Sequence, residues 1–165
     1  MKLVLPVFIL ILLSATSCST TLKPNQDQEK ILQKQISTSD VIIYGEVILI
    51  ESIYFKPPII QEHSPNLHAA HIKINKALKG NIDSLLINTG DQSRVIGILF
   101  PESRDIMWYN SPKFVIGQRG IWLLHWTETI SDTGNSIITA LMAPDPIDFQ
   151  SENRLSEIKE YLNDK

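Results

Sequence analysis

The run DVIIYGEVILIE, residues 40–51, constrains this chain more than any other stretch. It is β-branched nearly throughout and too apolar for a surface helix, so it predicts a long, largely buried strand. Its one interruption is Gly45, which predicts a bulge or a sharp bend. A bent strand of this kind can serve both sides of a small closed sheet. The single cysteine, Cys18, leaves no disulfide to hold the fold, so apolar burial must do so.

Further strand signals follow. In HAAHIKINKALKG (68–80), Ile72 and Ile74 point inward and His71, Lys73 and Asn75 outward, with a turn at Gly80-Asn81. SLLIN (84–88) reads as the third strand and GIWLLHWTE (120–128) as the fourth. Thr133-Gly134-Asn135 then makes a hairpin turn into SIITALM (136–142), the fifth. Residues 95–100 could add a short extra strand, within the irregular segment 92–120. Residues 52–66, SIYFKPPIIQEHSPN, read as a loop, because Pro57, Pro58 and Pro65 exclude regular pairing. Near the C-terminus, Leu155, Ile158 and Leu162 fall at helical spacing and predict an amphipathic helix. The expected fold is mainly β: a small five-stranded closed sheet with a C-terminal α-helix.

The N-terminus has another character. Met1-Lys2, an apolar core over 3–13 and the small residues Ser14-Ala15-Thr16-Ser17 have the layout of a secretory signal peptide. That core is far shorter than the ~20 apolar residues of a spanning helix, and Pro6 weakens it further. Ala15-Thr16-Ser17-Cys18 resembles a bacterial lipobox, which implies cleavage before Cys18 and lipidation of that residue. Ala15 stands where leucine is commonest. Ser19-Thr20-Thr21 lacks the aspartate that resembles an inner-membrane retention signal, so the expected address is the cell envelope, at the outer membrane of a Gram-negative bacterium. The expected organisation is a signal at 1–17, lipidated Cys18 with a flexible tether to 30, and one domain over 31–165. Residues 19–30 are too polar to offset their ordering entropy. Ile31, Leu32 and Ile36 suggest one face of a short helix, ended by Ser37-Thr38-Ser39-Asp40.

Three short signals in the domain occur in a familiar order. Asp40-Val41-Ile42-Ile43-Tyr44-Gly45-Glu46-Val47 resembles the first strand of netrin-like domains, the superfamily that includes tissue inhibitors of metalloproteases. Ile72-Lys73-Ile74-Asn75-Lys76-Ala77-Leu78-Lys79-Gly80 is similar to their second strand and its turn. Phe114-Val115-Ile116-Gly117-Gln118-Arg119-Gly120-Ile121-Trp122-Leu123-Leu124 resembles a later strand and its approach. The resemblance covers residues 40–142 and implies an OB-type barrel, with Gly80 and Gly117 at turns. It does not carry over inhibition of metalloproteases. Those inhibitors chelate zinc through a free N-terminal cysteine amine braced by a disulfide, whereas an acylated Cys18 has no free amine and this chain has no second cysteine.

Formal net charge is −3, and −4 once Lys2 leaves, which argues against a phosphate-binding surface and hence against nucleic acid as a partner. There is no P-loop, no dinucleotide glycine pattern and no G-x-S-x-G elbow. No cofactor is expected, and no enzyme. His63, His68 and His71 form H-x4-H-x2-H, the basis of an alternative reading as a metal-dependent hydrolase. On a continuous strand, however, His68 and His71 would leave opposite faces, and solvated loop histidines are the simpler account. Trp122 and Trp126 share one face of the fourth strand and could stack on a base or a sugar, although core packing explains at least one of them. Asp145 and Asp148 sit in a turn composition and are assigned no catalysis. The expected function is a non-enzymatic module that binds an envelope protein partner. It would do so through an apolar loop bearing Tyr54 and Phe55 and an aromatic loop bearing Met107, Trp108 and Tyr109, unless Trp108 folds back to plug the sheet.

Overall fold

Gly45 is where the first strand changes its surroundings. The computed structural model describes residues 26–55, 66–90, 93–102, 109–130 and 137–163. Strand β1 (Val41–Phe55) pairs antiparallel with β2 (Asn66–Lys79), with register shifts at Ile42/Ile43, Tyr44/Gly45, Val47/Leu49 and Glu51/Phe55. Over residues 41–46 it also pairs antiparallel with β5 (Arg119–Ile130). Gly45 therefore faces Ile74 on one side and Gly120 on the other. The two glycines are needed for close approach. A Cβ on Gly45 would collide with the Lys73 carbonyl oxygen and come within 2.8 Å of Ile72 Cγ2, and one on Gly120 would enter the Phe149 ring.

The remaining strands close the circle. β3 (Leu86–Ile87), β4 (Val95–Glu102), β6 (Ile137–Met142) and β7 (Phe149–Gln150) complete a seven-stranded sheet. Its order is β1-β2-β4-β6-β5, and the β1–β5 pairing joins the ends into a ring through five strands. Only β4 and β6 run parallel, through Ile98 to Leu141 and Leu99 to Met142. β3 borders β4, and β7 borders β5. The protein is thus mainly β, with a C-terminal helix α2 (Leu155–Asn163). Among the described residues, no helix is long and apolar enough to cross a membrane.

Period-two alternation fills the ring. Val41, Ile43 and Val47 of β1, Ala70, Ile72 and Ile74 of β2, Ile96, Ile98 and Phe100 of β4, and Trp122 and Leu124 of β5 share one buried cluster. Aromatic rings run through it, Phe100 against Phe114 at 4.7 Å and Trp122 against Phe149 at 5.4 Å between centroids. The alternate residues Ile42, Ile121 and Leu123 face outward, yet they too are buried. They pack against Leu32 and Ile36 of α1 (Gln26–Thr38) and Ile158 of α2. Cover on both faces is why β1 and β5 read as continuous apolar runs rather than alternating ones.

Several expectations need correction. The ring takes Val95–Glu102, expected as an extra strand, in place of residues 84–88. After the turn at Gly80, Asp83–Leu85 form a 3₁₀ turn closed by Leu85 N–H on the Ile82 carbonyl, which leaves only Leu86 and Ile87 to pair. β1 runs on to Phe55, because Ile53, Tyr54 and Phe55 favour a strand and Pro57 is the first breaker. Tyr54 and Phe55 are therefore strand residues rather than loop residues. Helix α1 is longer than expected and includes Gln26–Lys30, part of the segment read as tether. Asp27 and Glu29 in its first turn suit the helix dipole. Of its expected face, Leu32 and Ile36 are buried at i, i+4, and Ile31, one step round the helix, is exposed. The helix ends as expected. Ser37, Thr38 and Ser39 hydroxyls donate to the Lys34 and Gln35 carbonyls, and Lys79 Nζ donates to those of Ile36 and Ser37.

If the glycine pair sets ring closure, Gly120→Ala should lower stability by about 1–3 kcal/mol through overpacking against Phe149. Gly97→Ala, whose Cβ would meet only Ile87 Cδ1 at 3.6 Å, should change it by about 0.5 kcal/mol or less. Urea unfolding of both variants checks this, and equal losses would remove the special role assigned to the seam.

Candidate functional site

The connection from Tyr109 to Gln118 is irregular, but hydrogen bonds and buried rings hold it at several points. Ser111 is buried and donates through Oγ to the Pro144 carbonyl at 2.9 Å. Lys113 Nζ donates to the Pro101 carbonyl at 3.1 Å. Phe114 is buried between Phe100 and Trp122 and nails the segment into the ring. A tight turn follows, in which Gln118 N–H donates to the Val115 carbonyl and Val115 N–H to Gln118 Oε1. Gly117, with φ of 85°, donates its N–H to the Val47 carbonyl at 2.8 Å, and Val47 N–H returns a bond to the Gln118 carbonyl at 3.0 Å. The turn is thereby stitched to β1 where that strand leaves β5.

This pinned segment turns large apolar side chains to solvent. Tyr109 is 70% exposed, Val115 64% and Ile116 62%. Directly after Val47, Ile48 is 40% and Leu49 44% exposed. Single exposed apolar residues are ordinary, but Val115 and Ile116 sit on a turn bonded to Val47, next in the chain to Ile48 and Leu49, and such a group has the composition of a contact surface. Flanking charge is compensated, since Arg119 donates to Glu46 Oε2 at 2.8 Å.

A second cluster carries titratable groups. Asp148 is fully buried beneath α1. Its Oδ2 accepts from Asp145 N–H at 2.8 Å and its Oδ1 from Gln35 Nε2 at 3.0 Å, and His125 Nε2 lies 3.6 Å away. Gln35 also donates to Asp145 at 3.2 Å. Burial holds the Asp148 carboxyl above its ordinary value of 3.8, against the opposing effect of these donors and of His125. An open groove of about 440 Å³ lies alongside, lined by Ile31, Lys34, Gln35, Asp145, Pro146 and Ile147. The buried carboxylate does not reach it, because Asp148 presents no surface. The cluster therefore ties α1 to β5 and to the segment before β7, and offers the groove no acid–base pair.

Of the expected site residues, Tyr109 is exposed at the start of the pinned 109–118 segment. Tyr54 and Phe55 lie in β1. Met107, Trp108, His63 and Cys18 lie outside the described residues. β2 is continuous through His68 and His71, as a shared site requires it not to be. His68 is buried on the ring face with its imidazole 5.8 Å from Phe100, and His71 is on the other face, paired with Glu51 at 2.8 Å. No group of three His, Cys, Asp or Glu among the described residues could hold a metal ion. Trp122 is wholly buried while Trp126 is half-exposed, so the two form no stacking platform.

Two features escaped the sequence reading. Val115 and Ile116 look like the start of a strand, and the turn expected at Gly117 does not by itself say that their side chains face outward. Asp145-Pro146-Ile147-Asp148 did carry a usable signal, because carboxylates three apart around a proline form a capping box, and one of them is thereby drawn inside. No family model matches the chain, and no curated protein matches it.

Because Asp148 is more easily protonated in the folded protein, its contribution to stability is full below pH 3.8 and is lost as pH rises through its elevated value. Asp148→Asn cannot ionise. Its stability relative to wild type should therefore climb as pH rises from 3.5 to 7, whatever fixed cost the lost hydrogen bonds impose. Urea midpoints of the two proteins across that range test this, and a pH-independent difference would refute it.

Proposed function

We propose that the chain is an envelope lipoprotein, lipidated at Cys18, whose ring of strands is a netrin-like, OB-type barrel acting as a non-enzymatic protein-binding module. The observation that carries the binding role is the rigidly pinned display of Tyr109, Val115 and Ile116. An ordered loop loses little entropy when it docks, so apolar groups held on it convert more of their burial into affinity. Aromatic anchors such as Tyr109 dominate the energetics of contacts of this kind.

The barrel assignment is supported by the ring order β1-β2-β4-β6-β5, which a single bent strand closes, as a five-stranded Greek-key barrel requires. It is supported also by the fall of the three netrin-like signals on β1, on β2 with its Gly80 turn, and on the approach to β5. The anchor rests on the sequence of the first eighteen residues. Since α1 holds Gln26–Lys30, the tether read from the sequence loses those residues. An outer-membrane address follows from the residues after Cys18.

Two experiments test the two halves. Wild type should take up a fatty-acid label and fractionate with membranes, and Cys18→Ala should take up no label and either stay as the unprocessed precursor or be released in soluble form; a soluble, unlabelled wild type would end the lipoprotein reading. For binding, proximity labelling around the membrane-held protein should recover a partner that Ile116→Asp loses. Since Ile116 is exposed, that variant should keep the wild-type melting temperature. Recovery of the same proteins by both forms would reject the Tyr109–Ile116 surface as the binding site.

A further inference from the structure

We propose that the cavity between β2 and the C-terminal end of α2 binds an organic anion with a short apolar tail. The cavity measures about 200 Å³ and is lined by Lys76, Ala77 and Leu78 of β2 and by Lys159, Leu162 and Asn163 of α2. Two elements far apart in the sequence thus bring two lysines to one cavity. No described carboxylate lines it. Like charges drawn together repel one another, and an anion seated between them reverses that cost.

Several other cations are satisfied within the fold. Arg94, Arg119 and Arg154 each pair with a carboxylate, and Lys79 and Lys113 donate to main-chain carbonyls. Lys76 and Lys159 have no side-chain hydrogen bond or ion pair among the described residues, in a chain whose formal net charge is −3. Lys30, Lys34 and Lys73 also have none; the shared cavity is what sets Lys76 and Lys159 apart. The apolar lining decides what kind of anion fits. Leu78 and Leu162 are half-buried and pack on the layer of Ile42, Leu123 and Ile158, while Ala77 packs against the ring core. A bare, strongly hydrated anion gains nothing from such a lining, whereas each methylene of a short tail buried there adds affinity. Asn163 contributes a side-chain amide that can donate to the same anion. The volume equals about seven water molecules, which suits a ligand of roughly that many heavy atoms. The inference is independent of Cys18 and of what binds at Tyr109, Val115 and Ile116.

Hexanoate serves as the probe. At about 20 mM and constant ionic strength, it should raise the melting temperature of the full chain, purified in a nonionic detergent, by about 2 °C or more. Lys76→Gln combined with Lys159→Gln should abolish the rise, and Lys73→Gln, outside the cavity, should keep it. Hexanol, which lacks the charge, and inorganic phosphate, which lacks the tail, should each give a much smaller rise. No rise with hexanoate, a rise that survives the double substitution, or an equal rise with hexanol or with inorganic phosphate would each overturn the proposal. Asp164 follows Asn163 directly in the chain. A rise seen only with Asp164→Asn would show that the chain's own carboxylate fills the cavity, and would overturn the proposal as well.

Discussion

Everything in this protein hangs on the approach of β1 to β5 at Gly45 and Gly120. The two residues face each other across the seam that turns a sheet into a ring, and each is also pressed by a third element. Lys73 and Ile72 of β2 crowd Gly45, and Phe149 and Gln150 of β7 crowd Gly120. A methyl group at either position would have to displace a main-chain oxygen or an aromatic ring, neither of which is free to move in a close-packed interior. The seam therefore admits two glycines or does not form at that spacing.

Closure has a cost that the helices offset. Strands inside a ring present apolar side chains inward, but those of the seam are apolar outward as well, through Ile42, Ile121 and Leu123. Left bare, these would form an apolar stripe on the outside. Helices α1 and α2 cover it with Leu32, Ile36 and Ile158. Hydrogen bonds tie this layer together along its border. Gln35 reaches Asp145 and Asp148, Lys79 caps the end of α1, and Tyr44 donates to Glu152 at 2.9 Å. A buried carboxylate such as Asp148 contributes less to net stability than to fixing one arrangement, because α1 can seat only where Gln35 meets it.

The strands that are apolar on both faces were legible in the sequence, since the runs around Ile42 and Leu123 need no partner to identify them. The bend was legible too, because a lone glycine in such a run has few other meanings. Position in the ring was not. Residues 84–88 carry three apolar residues in a row, Leu85, Leu86 and Ile87, and a 3₁₀ turn at Asp83–Leu85 shortens that strand to a two-residue bridge. The exposed apolar residues were half legible. Tyr109 stood out as an aromatic on a loop, whereas Val115 and Ile116 have the composition of core residues, and only the ladder between Gly117 and Val47 turns them out. The pairing of His125 with Asp148 links residues that no spacing rule connects.

That ladder also explains why the exposed apolar groups gather at one place. β1 has two neighbours only as far as Val47, and the chain that lends it the second neighbour must turn away there. The turning chain cannot bury its own side chains, since Phe114 already fills the ring interior behind it. The strand it abandons cannot bury Ile48 and Leu49 against a partner that has left. One geometric fact, the end of the β1–β5 ladder, thus produces both an apolar turn and an open strand edge. It sets them some 20 Å along the strand from Val41, where the chain leaves α1.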